Sequence, residues 1–215
     1  MKNRRLLSYS SREQGLELSC KLAREQLSKI TDIQEQCRKS GARYISDNQI
    51  AVDYLNQPYR IALSDIEISL QDRPVQVQVK DKILILHYFI MAKGTPASGA
   101  LITYKQLPGG ISYFAAFSQR AIAPLVRHFG KNPELLLEAA ANLGGCEADY
   151  GDTAVTINAF ARVPMTFVLW RGDEDLAPNA TILFDGNISD YLATEDVAVV
   201  SETITWKLVR AISST

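Results

Sequence analysis

Leu16, Cys20, Ala23, Leu27, Ile30 and Ile33 recur at spacings of three and four, which predicts one apolar stripe on a long helix over residues 12–40, stopped by Gly41. Thr31 and Asp32 could instead open a second helix, with a break near Ile30. The period then changes. Ile50, Val52 and Tyr54, then Ile66, Ile68 and Leu70, then Val75, Val77 and Val79 alternate with polar neighbours, with turn residues at 56–58 and 71–74. That pattern predicts a β-meander with one wet face. Residues 81–93 are apolar on nearly every side, as a helix in the middle of a domain would be.

Downstream, Leu101–Leu107 reads as a strand halted by Pro108, Gly109 and Gly110. Ser118 is placed to cap a helix running to Phe129, and Asn132–Pro133 to open another that Gly144 and Gly145 close. Ala154–Ala161, Met165–Trp170 and Thr181–Asp185 read as strands. Thr194 caps a last helix, with Glu195 and Asp196 favourable in its first turn. The expected fold is α+β: a mostly antiparallel sheet around the buried helix 81–93, with the N- and C-terminal helices packed outside. The expected organisation is a flexible tail over residues 1–11 and a single globular domain over 12–215.

Composition narrows the function classes. Lys plus Arg number 23 against 24 Asp plus Glu, a net charge of -1, so the basic excess that phosphate binding uses is missing and nucleic acid is not an expected partner. No apolar run approaches the roughly 18 residues of a membrane span, and Leu6 and Leu7 are followed by polar residues rather than by a signal-peptide core. The three cysteines, Cys20, Cys37 and Cys146, are an odd count without CxxC spacing. They are expected to be free thiols in a reducing, cytoplasmic setting, with Cys20 and Cys37 held apart along one helix.

Chemistry-bearing residues are few. His87 places an imidazole in the most apolar helix, where it must be paired with a carbonyl, a metal or a cofactor, or simply satisfied in the core. His128 reads as a surface residue near a helix end. Tyr104, Lys105, Tyr113, Phe114, Phe117 and Arg120 crowd one glycine-rich stretch, as a floor and clamp for a flat anionic ligand would, although core packing yields the same pattern. Asp173, Glu174, Asp175, Asp185 and Asp190 are oxygen ligands of the type that holds a divalent cation, or solvated loop charge. GxGxxG, GxxxxGK[ST] and GxSxG are all missing, so nucleotide-loop and nucleophile-elbow enzymes have no signature here.

Leu86–Pro96, Leu101–Gly110 and the Phe117, Arg120, Pro124, Leu125 segment, followed by Arg162–Asp175 and Ile182–Ala198, resemble an uncharacterised domain-of-unknown-function family found mainly in strictly anaerobic bacteria and archaea. The resemblance covers about residues 15–210. Some relatives carry an added cysteine-rich iron–sulfur segment like those of corrinoid proteins, which this chain lacks. What the resemblance implies is a context of corrinoid, tetrapyrrole or methyl-transfer metabolism. The leading expectation is a non-catalytic small-molecule binder for a corrinoid or haem-like tetrapyrrole. His87 would be an axial or hydrogen-bonding partner. Tyr104, Tyr113 and Phe117 would contact the ring, with Lys105 and Arg120 on acidic substituents. The competing expectations are a metal-dependent enzyme using Asp173, Asp185 and Asp190, and an accessory protein whose ligand is another protein.

Overall fold

A computed structural model describes residues 2–71 and 75–213, with side chains from residue 14 onward. It is an α+β protein whose strands pair antiparallel throughout the registers described. The chain divides into two compact units, residues 1–52 with 57–94, and residues 53–56 with 95–215.

Unit 1 begins with α1 (Lys2–Leu27) and α2 (Ile33–Ser40). The expected single helix is therefore broken, at the alternative point that Thr31 and Asp32 offered. The Asp32 carboxylate accepts a hydrogen bond from Glu35 N (2.8 Å), and this cap opens α2. Gly41 closes α2 with φ of 71°, a left-handed geometry that glycine adopts freely. The α1 backbone is helical through the residues read as an N-terminal tail, whose side chains lie outside the described set. Strands β1 (Arg43–Ser46), β2 (Gln49–Tyr54), β3 (Gln57–Ala62) and β4 (Glu67–Leu70) form the expected meander. The turn expected at 71–74 lies outside the described residues beyond Gln71.

The strand expected at 75–79 does not form. Among its alternating valines only Val77 is buried, while Val75 and Val79 stay exposed, so the three do not share a covered face and Val79 instead starts α3 (Val79–Met91). Helix α3 is the buried helix that the sequence promised. Leu84, Ile85, Leu86 and Phe89 are all at or below 1% exposure, packed with α1 and α2, although Ile90 is only half-buried. The side-chain amide of Gln36 on α2 donates to the Ala92 carbonyl (3.0 Å) and to that of Phe89, and the Tyr88 hydroxyl donates to the Ser40 carbonyl. The Gln36 bonds satisfy open carbonyls at the α3 C-terminus, and the Tyr88 bond satisfies one at the α2 C-terminus.

Unit 2 is built on β6 (Cys146–Ala148), β7 (Thr153–Phe160), β8 (Val163–Trp170), β9 (Asn179–Asp185) and β5 (Leu101–Thr103), paired in that order. Residues 53–56 join it: Tyr54 pairs with Phe160 across the strands, their rings stack at 4.8 Å, and Leu55 N donates to the Ala159 carbonyl (3.0 Å). Leu55 and Asn56 turn the chain with φ of 49° and 59°. Asparagine tolerates this left-handed geometry, and Leu55 is held in it by burial at 3% exposure.

Three local expectations are corrected in unit 2. The strand read as Leu101–Leu107 ends at Thr103, because the Gln106 side-chain carbonyl accepts from Thr103 N (2.8 Å) and winds residues 104–106 into a 3₁₀ turn. Ser118 is no cap; it lies inside a helical run made of α4 (Gly110–Phe117), a π turn at Ser118–Ile122, and α5 (Ala123–Phe129). In the π turn Ala123 N reaches back five residues to the Ser118 carbonyl, next to Pro124, which has no N–H to offer. Thr194 is already inside α7 (Thr194–Ser213), and its hydroxyl donates to the Pro108 carbonyl (2.9 Å) rather than to a capping bond. Helix α6 (Leu135–Ala141) forms behind Pro133 as expected.

Leu86→Ala is expected to cost about 2–5 kcal/mol, because a fully buried side chain leaves a cavity that α1 and α2 cannot close; chemical denaturation measures it. Gly110→Ala is expected to be destabilising as well, since a Cβ there would stand 1.9 Å from the Tyr104 carbonyl oxygen, a backbone atom that cannot move aside.

Candidate functional site

The turn at 104–106 and helix α4 carry most of the aromatic and cationic residues singled out in the sequence. Tyr104 and Phe117 are both 2% exposed, and their rings stack face to face at 4.0 Å with planes 4° apart. Phe117 also meets the Phe184 ring at 6.5 Å. These two rings are core residues that fasten α4 onto the sheet. Burial pushes the Tyr104 phenol above its ordinary pKa, and the Glu195 charge adds to this, with Arg120 opposing.

The outer side of α4 is different. Ile111 is 77% exposed and Tyr113 56%. Phe114 is half-buried under the Lys105 ammonium, 4.2 Å from the ring centroid, a cation–π contact. Arg120, in the π turn, donates from Nε to the Ala116 carbonyl (3.3 Å) and pairs loosely with Glu202 (3.6 Å). Lys105, Tyr113 and Arg120 thus form the exposed part of the stretch, with Phe114 half-buried beside Lys105, while Tyr104 and Phe117 stack on each other. Ile111 was missed because Gly109 and Gly110 read as a stop. The signal was Gly110 itself: it touches backbone at the first residue of a helix, and Ile111, Phe114 and Ala115 then follow at helical spacing. His87 lies in unit 1, half-buried on α3, and His128 lies in unit 2 with its ring edge-on to Trp206 at 6.3 Å.

The carboxylates have local roles. Asp185, 5% exposed at the end of β9, accepts from Ser98 N (2.9 Å), Ser98 Oγ (2.9 Å), Gly99 N (3.0 Å) and Asn187 N (3.0 Å). Burial acts to raise its pKa, but these donors outweigh it and hold the carboxyl below its ordinary value. Around it, the Asn187 amide donates to the Pro96 carbonyl (2.9 Å), Tyr191 to the Thr95 carbonyl (2.5 Å), and Thr95 Oγ1 to Asp190 (2.8 Å). Asp173 sits elsewhere, in a turn where it accepts from Asp175 N (2.9 Å) and Leu176 N (2.7 Å), which lowers its pKa. Among the described residues, no three His, Cys, Asp or Glu side chains are grouped to hold a metal ion.

In unit 1, a depression of about 420 Å³ lies beside Asp32, Tyr44 and Asp47. Its acids are also engaged, Asp32 as the α2 cap and Asp47 as acceptor for the Tyr44 hydroxyl. Cys20 and Cys37 are buried on separate helices, not on one, and Cys146 is exposed; all three are free, and burial pushes the Cys37 thiol up to about 11.

The class defined by this geometry is an α+β protein with an exposed aromatic and cationic helix surface and carboxylates committed to loop structure. The family model for a domain of unknown function (DUF3786) matches residues 32–206, and the chain belongs to that family. The match begins at the residue that caps α2. No curated protein and no solved structure matches the chain. No helix among the described residues is long and apolar enough to cross a membrane.

Asp185 ionises below its ordinary value in the folded chain. Its contribution to stability is therefore complete above about pH 5 and is lost as pH falls through the lowered folded value. Asp185→Asn is expected to cost about 1.5–3 kcal/mol at pH 7 and to flatten the acid limb of a stability–pH curve measured by urea unfolding. In a thiol titration of the native protein only Cys146 should react quickly; Cys20 and Cys37 should appear after denaturation, bringing the count to three.

Proposed function

We propose that the protein is a non-catalytic binding protein that takes an anionic ligand with a flat apolar body on the α4 surface of unit 2. The observation that carries this reading is the exposure of Ile111 and Tyr113, at 77% and 56%, on a helix flanked by Lys105 in the turn before it and Arg120 in the π turn after it. An aromatic side chain offers a stacking face, and the two cations suit ionised carboxylates. A corrinoid or haem-like tetrapyrrole has that chemistry, and the resemblance to proteins of anaerobic bacteria and archaea makes it the first ligand to try. Binding here is through the ring face and its acidic groups. The proposal is confined to unit 2 and does not draw on His87.

The metal-dependent reading draws no support from Asp173, Asp185 and Asp190, since Asp173 already accepts hydrogen bonds within its own turn and Asp185 and Asp190 accept them from the segment 95–99. The same exposed Ile111 favours a second binding reading: an accessory protein that docks a partner protein on α4.

Haem and cobinamide, titrated separately and followed by their visible bands, test the proposal. Saturable uptake is expected, with affinity falling about tenfold in Tyr113→Ala and in Lys105→Glu, the loss of one contact of about 1.4 kcal/mol. His87→Ala should bind as the parent does. Absence of uptake by either compound, or loss of uptake in His87→Ala alone, sinks the proposal. Haem binding left intact in Ile111→Asp would place Ile111 outside the ligand contact.

A further inference from the structure

Unit 2 carries another exposed apolar group, away from the residues of α4 in the chain and opposite in charge. Tyr150 is 47% exposed, Trp170 39% and Leu176 68%. Tyr150 and Leu176 stand on two loops, 149–152 and 171–176, and Trp170 ends β8 just before the second; hydrogen bonds tie the first loop to the end of β8 and to Arg171. Arg171 N donates to the Asp152 carboxylate (2.7 Å), and Asp152 N donates to the Leu169 carbonyl (2.9 Å). Gly151 makes the close approach possible: it has φ of 58°, and a Cβ there would stand 2.6 Å from the Leu169 oxygen and 3.3 Å from the Trp170 ring. The second loop is closed on itself, with Asp173 N donating to the Leu176 carbonyl (2.9 Å) and the Asp173 carboxylate accepting from Asp175 N and Leu176 N. Leu176 is therefore presented from an ordered turn.

The rim is acidic. Asp149, Asp152, Asp173, Glu174 and Asp175 are all exposed on these two loops. The cation beside them, Arg171, is already paired with Glu134 (2.8 Å). Trp and Tyr are favoured anchors of binding surfaces, and their ring faces attract cations. Carboxylates around them repel phosphate and steer positive charge. A bare divalent cation is not the occupant, because no three of these side chains are grouped to hold one.

We propose that the Tyr150, Trp170 and Leu176 surface docks a partner protein through a Lys- and Arg-rich segment that also carries an apolar anchor. The apolar anchor meets Leu176 and the ring faces, and the basic side chains meet the rim. This reading is independent of the α4 proposal.

A fluorescently labelled peptide alternating Leu with Arg and Lys is the probe, titrated into the full chain and read by anisotropy. Controls replace its Leu by Ser, or its Arg and Lys by Glu. Saturable binding is expected for the Leu-containing basic peptide, weakening as salt rises from about 0.05 to about 0.5 M. The dissociation constant should rise tenfold or more in Glu174→Lys/Asp175→Lys and in Leu176→Ser. Both variants alter only exposed side chains, and unchanged melting confirms their fold. Equal binding of the Leu-to-Ser peptide would reduce the surface to non-specific charge attraction and overturn the proposal. So would binding indifferent to the Glu174/Asp175 reversal. Concentration-dependent self-association of the parent that Leu176→Ser abolishes would assign the surface to a second copy of this chain instead.

Discussion

The carboxylate of Asp185 organises unit 2. By accepting hydrogen bonds from Ser98, Gly99 and Asn187, it ties the segment entering β5 to the residues leaving β9. Gly186 N then donates to the Ala100 carbonyl (2.8 Å), and Leu101 falls opposite Asp185 in the strand register. Everything on the candidate surface follows from that placement. Strand β5 delivers Tyr104 to its stacking position against Phe117, the 3₁₀ turn reverses the chain, and Gly110 lets α4 start against the Tyr104 carbonyl. A buried charge with several donors is costly to unpair, so the link is rigid where an exposed ion pair would yield.

Aromatic residues in unit 2 serve two distinct ends. Tyr104, Phe117, Phe160 and Phe184 are at or below 2% exposure; Tyr104, Phe117 and Phe184 hold α4 to the sheet, and Phe160 stacks on Tyr54 across the strands. Tyr113, Tyr150 and Trp170 are from 39% to 56% exposed and contribute little to the core. A large apolar surface left in water needs a reason, and each of these residues sits among charges of one prevailing sign. Lys105 and Arg120 accompany Tyr113, whereas Asp149, Glu174 and Asp175 accompany Tyr150 and Trp170.

Where local signals agreed with burial, the chain could be read directly. The apolar helix α3, the Asp32 cap, the Gly41 stop and the strands β7 to β9 were legible, because periodicity and capping chemistry act within a few residues. Expectations failed where a distant partner decided the outcome. Val75–Val79 alternates like a strand, but only Val77 is covered and Val79 begins α3. Leu101–Leu107 looks uniform, but Gln106 bonding back to Thr103 ends the strand early. The paired glycines at 109 and 110 read as a stop, whereas they are the start of α4, because Gly110 must touch the Tyr104 backbone.

The sequence by itself determined the α+β class, the buried helix, the lack of basic excess and the set of residues with chemistry to offer, since these depend on composition and short-range pattern. Only the tertiary structure decided which of those residues are available. It turned Tyr104 and Phe117 inward and left Tyr113 and Lys105 outside. It gave Asp185 and Asp190 to the loop at 95–99 and placed His87 in the other unit. Exposure and hydrogen-bond partnership depend on contacts between residues far apart in the chain, and no local pattern encodes them.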